Sequence, residues 1–352
     1  MSEHFDIQAV HVFKLSIPFK EEYSNNKNVE TIVVNIRTDA GHSGWGSATI
    51  NPDDIDKAHD DLKERISPAL IDSNPSNLGR IFESVSELTR DNPALKASLD
   101  IALFDIWGKY LNAPLDSILG SYRDDIPTSI AVMDAEPIKM IESIKKYKEN
   151  GLKSFRLAPS AEPDEKLEFV NAASKEISHI SFRLSVSSDC TIKKLKSLLK
   201  HTPQEIELIE IQTDEKNIDE VMALSANSPA PVTISGNIKN AREAFLLFEK
   251  GCPMLTVRLM NCGGLAETIR ICEAARMTGR KIHIGCTNEL PISLTAAAHI
   301  ALSQQPVAYA DLDGHLCLDQ HTAGNGLIIA DGKVSVPDTP GLGIEIRKHY
   351  LR

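Results

Sequence analysis

The chain has 352 residues, enough for a large core, and that length fits two domains or one large barrel with an added layer. Its apolar share of 42% and charged share of 25% are those of a soluble globular protein. A formal net charge of −11 leaves no basic face for nucleic acid or an anionic membrane, and an aromatic share of 5% argues against base stacking.

Residues 7–16 and 30–38 are predicted as strands, alternating or continuously apolar. Asp39 to Ala48 (DAGHSGWGSA) is a glycine-rich turn leading into a further strand. Residues 54–70 and 77–90 mix polar and apolar side chains at helical spacing. The strongest helix follows, from Asn92 to Leu111, where Leu95, Leu99, Ala102, Leu103, Ile106 and Trp107 make one wide apolar face. Pro114 and Gly120 close this α+β unit, a meander followed by helices.

From about residue 126 short apolar strands alternate with amphipathic helices. Strands are predicted at 127–133, 153–158, 182–187, 206–211, 231–235, 254–260, 281–285 and 307–312. Helices are predicted at 137–149, 163–178, 191–200, 215–226, 238–250, 265–279 and 290–303. Such alternation with short connections predicts a parallel sheet with helices outside, closed as a TIM-type barrel. A doubly wound open sheet is the alternative, but no GxGxxG follows the first strand. Residues 326–352 return to turn-rich β character and are expected to pack back on the first unit.

The first residues show no basic stretch followed by a long apolar core, and the longest apolar runs, such as LTAAAHIAL, are far short of a membrane span. A cytoplasmic location is expected. The six cysteines are scattered with no CxxC pair and read as reduced thiols. There is no nucleophile elbow, Walker loop or zinc-type histidine spacing. In a barrel of this kind chemistry belongs at the C-terminal ends of the strands, among them Arg156, Asp189, Glu210, Arg258, His283, Asp311 and Asp313.

The layout resembles the enolase superfamily, in its muconate-lactonizing and dipeptide-epimerase branch. The resemblance spans nearly the whole chain and rests on DAGHSGWG, ASLDIALFDIWGKYLNAPLDSILG, RLMNCGGLAETIRICEAARMTG, GCTNE and AHIA followed by DLDG. It implies a modified (β/α)8 barrel over residues 126–325 under an α+β capping domain made from 1–125 and completed by 326–352. It also implies proton abstraction next to a carboxylate, with Mg²⁺ on three strand-end carboxylates and lysine bases on either side.

The expected residues are substituted. The lysine pair reads Arg156-Leu157-Ala158, the strand-six lysine is Arg258, and serines 187 and 235 stand where two metal-binding acids belong, leaving Glu210. An arginine side chain is protonated near neutrality and is no general base. One carboxylate makes a poor Mg²⁺ site. No cofactor is therefore expected, the family's Mg²⁺ being read as lost.

Asp311 and Asp313 match an acidic pair that the resemblance assigns to a substrate α-ammonium. At i and i+2 they share a strand face. Structural capping or pairing with a local cation is the equal alternative. Glu289, in GCTNE, matches another retained position. The expected partner is a small amino-acyl or carboxylate ligand, its carboxylate on Arg156 and Arg258 and its ammonium on the aspartates, with neither nucleic acid nor membrane, and with homo-oligomers open. An isomerase, lyase or hydrolase using Asp189, Glu210, His283 or a thiol is the rival reading, and a scaffold whose site was replaced is the third. Cys190, Cys262 and Cys286 fall near the mouth but read better as inert buried residues, and His283 as a hydrogen-bonded one. Gly263-Gly264 before a helix forms a tight turn or an anion-accepting N-terminus.

Overall fold

The computed structural model describes residues 5–20, 28–90, 92–132, 136–160, 162–213, 217–236, 238–319 and 325–351. Three antiparallel strands open the chain, β1 (Ile7–Pro18), β2 (Asn28–Thr38) and β3 (Ser43–Thr49). Helix α1 (Ile55–Asp61) runs through a π-helical turn (Leu62–Ile66) into α2 (Ser67–Leu70), where Pro68 takes a first-turn position that needs no N–H partner. Then come α3 (Leu78–Leu88), α4 (Pro93–Tyr110) and α5 (Leu115–Leu119).

Asn92 caps α4 by accepting the Leu95 N–H at 3.0 Å. The helix is buried on nearly every side, not on one face. Its backbone presses on β3 because Gly44 and Gly46 lack side chains: a Cβ at Gly46 would lie 1.8 Å from the Ser98 carbonyl oxygen. Asp100 and Asp105 are buried with the apolar residues. Asp105 accepts N–H bonds from Trp45 (2.9 Å) and Leu342 (2.9 Å) and pairs with Lys109 at 2.7 Å. It thereby joins the first unit to the C-terminal segment.

After the short β4 (Ile126–Pro127) the chain is a parallel βα alternation: β5 (Ile130–Val132), α6 (Pro137–Glu149), β6 (Ser154–Ser160), α7 (Pro163–Glu176), β7 (Ser181–Val186), α8 (Ile192–Lys200), β8 (Ile206–Gln212) and α9 (Ile218–Ser225). It continues through β9 (Val232–Ser235), α10 (Ala241–Glu249), β10 (Met254–Val257), α11 (Leu259–Cys262), α12 (Leu265–Met277), β11 (Lys281–Ile284), α13 (Pro291–Ser303) and β12 (Val307–Ala310). Strands β5 to β12 form one eight-stranded sheet in sequence order, and its edges are brought together by a parallel bridge between Thr128 and Ala310. Alternation sorts the side chains. On β7, Phe182 meets Phe169 of α7 edge-on outside the sheet, while Arg183 and Ser185 point to the barrel interior, reaching Asp311 and Glu210.

Strands β13 (Ile328–Ala330) and β14 (Lys333–Ser335) pair with β4 in a small sheet. The chain after them reaches α5 and α13, where Leu115 N–H bonds the Gly341 carbonyl and His299 contacts the Leu342 carbonyl. No helix among the described residues is long and apolar enough to cross a membrane. The six cysteines are unpaired, and five of them are buried.

Candidate functional site

The barrel interior carries a continuous polar chain. Thr233 and Thr256 hydroxyls lie 3.0 Å apart, Thr256 Oγ1 lies 3.1 Å from His283 Nδ1, and His283 Nε2 lies 2.9 Å from Asp311 Oδ2. Asp311 Oδ1 accepts from Arg183 Nη1 at 2.5 Å and from the Ser129 hydroxyl. Arg183 also pairs with Glu207 at 2.6 Å and bonds the Ala310 carbonyl. Burial pushes the Asp311 carboxyl up, but Arg183, then His283 and Arg156, hold it well below the usual carboxylate range. With both oxygens engaged, Asp311 works as an internal anchor of the sheet.

Two ion pairs stand above this layer. Arg156 Nη2 donates to Asp313 Oδ1 at 2.7 Å, and the other Asp313 oxygen accepts the Ala131 N–H at 2.6 Å. Arg258 Nη2 donates to Glu210 Oε1 at 2.7 Å and its Nη1 to Ser235 Oγ at 2.9 Å. Glu210 Oε2 takes the Ser185 hydroxyl at 3.1 Å. Burial alone raises Glu210, and the Arg258 charge leads the group that brings it below its ordinary value. Ser235 presents a hydroxyl oxygen to the Arg258 guanidinium.

Of the residues expected at the site, the structure brings together Arg156, Asp311 and Asp313 in one cluster and Glu210 and Arg258 in another. Glu289 is buried nearby, its Oε1 accepting the Thr287 N–H at 3.0 Å and the Thr287 hydroxyl at 3.2 Å, and burial raises its carboxyl. His283 is 1% exposed with both ring nitrogens engaged. Asp189 is apart from them, exposed on the turn after β7, its N–H on Ser187 Oγ at 3.3 Å. Cys262 and Cys286 are buried, and burial pushes both thiols up, Cys262 to about 12, so neither offers a thiolate near neutrality.

The anion-accepting helix end at Gly263-Gly264 is occupied from within the chain. Asp100 of α4 accepts the Leu265 N–H at 2.6 Å, at the start of α12. Both glycines have positive φ, and a Cβ on Gly264 would lie 2.4 Å from the Asp100 carboxylate. Arg183 was the residue missed by sequence reasoning. Its signal was a charge at an inward position of an otherwise apolar strand, FRLSV.

A groove of about 940 Å³ opens over the ends of β8 to β10. Gln212, Ser235, Arg258 and Asn261 line its polar end, and Ile218, Ile238, Leu246 and Leu247 its apolar wall. A cavity of about 220 Å³ lies beside Arg156 and Asp313, bounded by Ile130, Cys286, Asn288 and Leu316.

Residues 5–120 match the family described as mandelate racemase / muconate lactonizing enzyme, N-terminal domain, and residues 139–350 match enolase C-terminal domain-like. The chain is similar to an N-succinyl-L-Arg/Lys racemase of Bacillus cereus, 26% identical over 98% of this chain and 97% of that one. It superposes on a dipeptide epimerase of Methylococcus capsulatus complexed with Mg and the dipeptide L-Arg-D-Lys (TM-score 0.89, 25% identity, 96% of this chain and 99% of that one). A dipeptide epimerase of Enterococcus faecalis complexed with Mg and L-Leu-L-Tyr superposes with TM-score 0.87 at 25% identity, over 97% of this chain and 99% of that one.

These complexes correct the expectation of no cofactor. Magnesium is bound by proteins that share this fold over their whole length, so the Mg²⁺ of the family is not to be read as lost from substitutions alone. The described residues gather no group of three or more His, Cys, Asp and Glu side chains, and Arg258 and Ser185 hold the Glu210 oxygens.

Proposed function

Because the chain belongs to the enolase superfamily, in its mandelate racemase and muconate lactonizing branch, we propose that it binds a small amino-acyl or carboxylate molecule at the barrel mouth. The observation that carries this reading is Arg258. Its guanidinium faces the 940 Å³ groove at the ends of β8 to β10, where Ser235, Gln212 and Asn261 add hydrogen-bonding groups and four aliphatic side chains form a wall. Polar groups converging at one end of an apolar cleft are the ordinary form of a small-molecule site. Arginine matches a carboxylate in charge and planar geometry, and Arg258 keeps N–H donors beyond those given to Glu210 and Ser235.

The same residues support binding without lysine-based proton transfer. Positions 156 and 258 carry arginine, a side chain unsuited to general-base work, Ala158 has no proton to move, and His283 is enclosed by Thr256 and Asp311. The dipeptide complexes of the relatives support a small-molecule ligand.

Two measurements decide. Thermal stabilisation is recorded for a panel of dipeptides, N-acyl amino acids and simple carboxylates, and α-carbon deuterium uptake from heavy water is followed with and without Mg²⁺. Stabilisation by a carboxylate, lost on Arg258→Met, with no deuterium uptake is expected. Deuterium incorporation above the uncatalysed background in either condition overturns the non-lysine, non-exchanging reading.

A further inference from the structure

Arg156 projects from β6 across the mouth to the residues that follow β12. Its guanidinium donates to Asp313 at 2.7 Å, and its Nε lies 3.8 Å from Asp311. The carboxylates it meets have their remaining oxygens filled by the chain itself, Asp313 by the Ala131 N–H and Asp311 by Arg183, Ser129 and His283. Asp311 and Asp313 are nearly inaccessible, while the Arg156 side chain is 21% exposed. Arg156 and Asp313 both line the 220 Å³ cavity, so the carboxylate reached from it is one already paired with the more exposed guanidinium.

Resting on the carboxylate-ligand reading above, we propose that Arg156 is a specificity-determining counter-cation. It holds the place beside Asp313 that an α-ammonium would need, so the site selects ligands whose α-nitrogen is acylated or absent over ligands with a free α-ammonium. An ammonium entering the cavity finds Asp313 already paired with the Arg156 guanidinium, whose like charge at that range opposes it. To reach Asp313 it must displace a guanidinium that is hydrogen-bonded in a largely desolvated pair. An amide nitrogen or a plain methylene carries no charge and meets neither obstacle. Arg258, on the far side of the mouth, adds a second positive charge that favours the ligand's anionic end.

The test is a set of matched pairs: L,L-dipeptides and the same dipeptides N-acetylated, titrated calorimetrically against the wild-type chain, Arg156→Met and Arg156→Met/Asp313→Asn. Methionine keeps the apolar stem, and folding is checked by circular dichroism. The wild type is expected to prefer the acetylated partner by about tenfold or more, a difference of about 1.4 kcal/mol. Arg156→Met is expected to reverse the preference by exposing Asp313, and the double variant to lose it. Equal or tighter binding of the free amine by the wild type overturns the assignment. If the wild type binds neither partner, the carboxylate-ligand reading fails, and Arg156→Met still decides this one: gain of the free amine upholds it and no gain overturns it. Should Arg156→Met not fold, Arg156→Gln is read in the same way.

Discussion

Asp311 Oδ2 and His283 Nε2 lie 2.9 Å apart inside the barrel, and the other Asp311 oxygen holds Arg183, so one carboxylate ties β7, β11 and the segment after β12 together. Removing that charge takes from buried Arg183 the enclosed one of its two carboxylate partners, leaving Glu207. Asp311→Asn is expected to cost about 3–5 kcal/mol in urea unfolding, the usual penalty for breaking a buried pair on one side. The pH dependence has a definite sign. The folded carboxyl titrates below its ordinary value, so its stabilisation is full above the unfolded value of 3.8 and is lost as pH falls from there through the folded one. Acid unfolding of Asp311→Asn should therefore be less steep below about pH 4 than that of the wild type. Identical slopes would show that Asp311 makes no such contribution.

Asp100 behaves in the opposite sense. It is fully enclosed, and burial raises its carboxyl from 3.8 to about 7 despite the N–H bonds from Leu265 and Ala266. Below the unfolded value both states are protonated and its contribution is whole. Between that value and about 7 the unfolded state releases a proton that the folded state retains, so stability falls as pH rises. Asn, an uncharged mimic of the protonated acid, removes the slope. The difference in unfolding free energy between Asp100→Asn and wild type is expected to shift in favour of the variant from pH 4 to 7, by a few kcal/mol at most, about 1.4 per pH unit. A flat difference across that window would place the carboxylate in its charged form throughout.

The alternation of strand and helix was legible because inward and outward positions on the strands and the apolar faces of the helices repeat at different periods. Helix α4 was legible as a helix and misjudged as one-faced. Its polar positions include Asp100 and Asp105, whose partners are N–H groups of Leu265 and Leu342, far along the chain. No local pattern announces such a partner. Strand-end positions were likewise readable as a set, including the arginines at 156 and 258. What could not be read was which carboxylate each arginine takes, since that depends on the reach of side chains across the closed sheet. Asp189 shows the limit from the other side: two residues past Ser187 it shares strand parity, yet the chain has already turned into the exposed start of α8.

Close approach of α4 to β3 gives a steric prediction. A methyl group at Gly46 would stand 1.8 Å from the Ser98 carbonyl oxygen, and one at Gly44 would stand 2.0 Å from that of Ala102. Both contacts are backbone, so no rotamer relieves them. Gly46→Ala is expected to cost about 3 kcal/mol or more, at the upper end of overpacking penalties. Gly41→Ala, with open space around its Cβ but φ of +86°, pays only the backbone penalty and should be milder, on the order of 1 kcal/mol. Chemical denaturation of the two variants side by side checks the ranking, and equal midpoints would mean that β3 shifts freely against α4.

Glu210 competes with any anionic ligand for Arg258. The pair is 2.7 Å long, and both side chains are largely buried. In Glu210→Gln the amide still accepts from Arg258 while the negative charge is gone, so the guanidinium turns more of its field to the groove. Carboxylate affinity at Arg258 is expected to rise by about three- to tenfold, corresponding to about 0.7–1.4 kcal/mol. Arg258→Met should abolish that binding and, by leaving Glu210 buried without its counter-charge, destabilise the fold by about 3–5 kcal/mol. The paired substitution Glu210→Gln/Arg258→Met should recover most of the stability and none of the binding, separating the structural part of the ion pair from its part in holding a ligand. Recovery of binding in the double variant would place the anion elsewhere in the mouth.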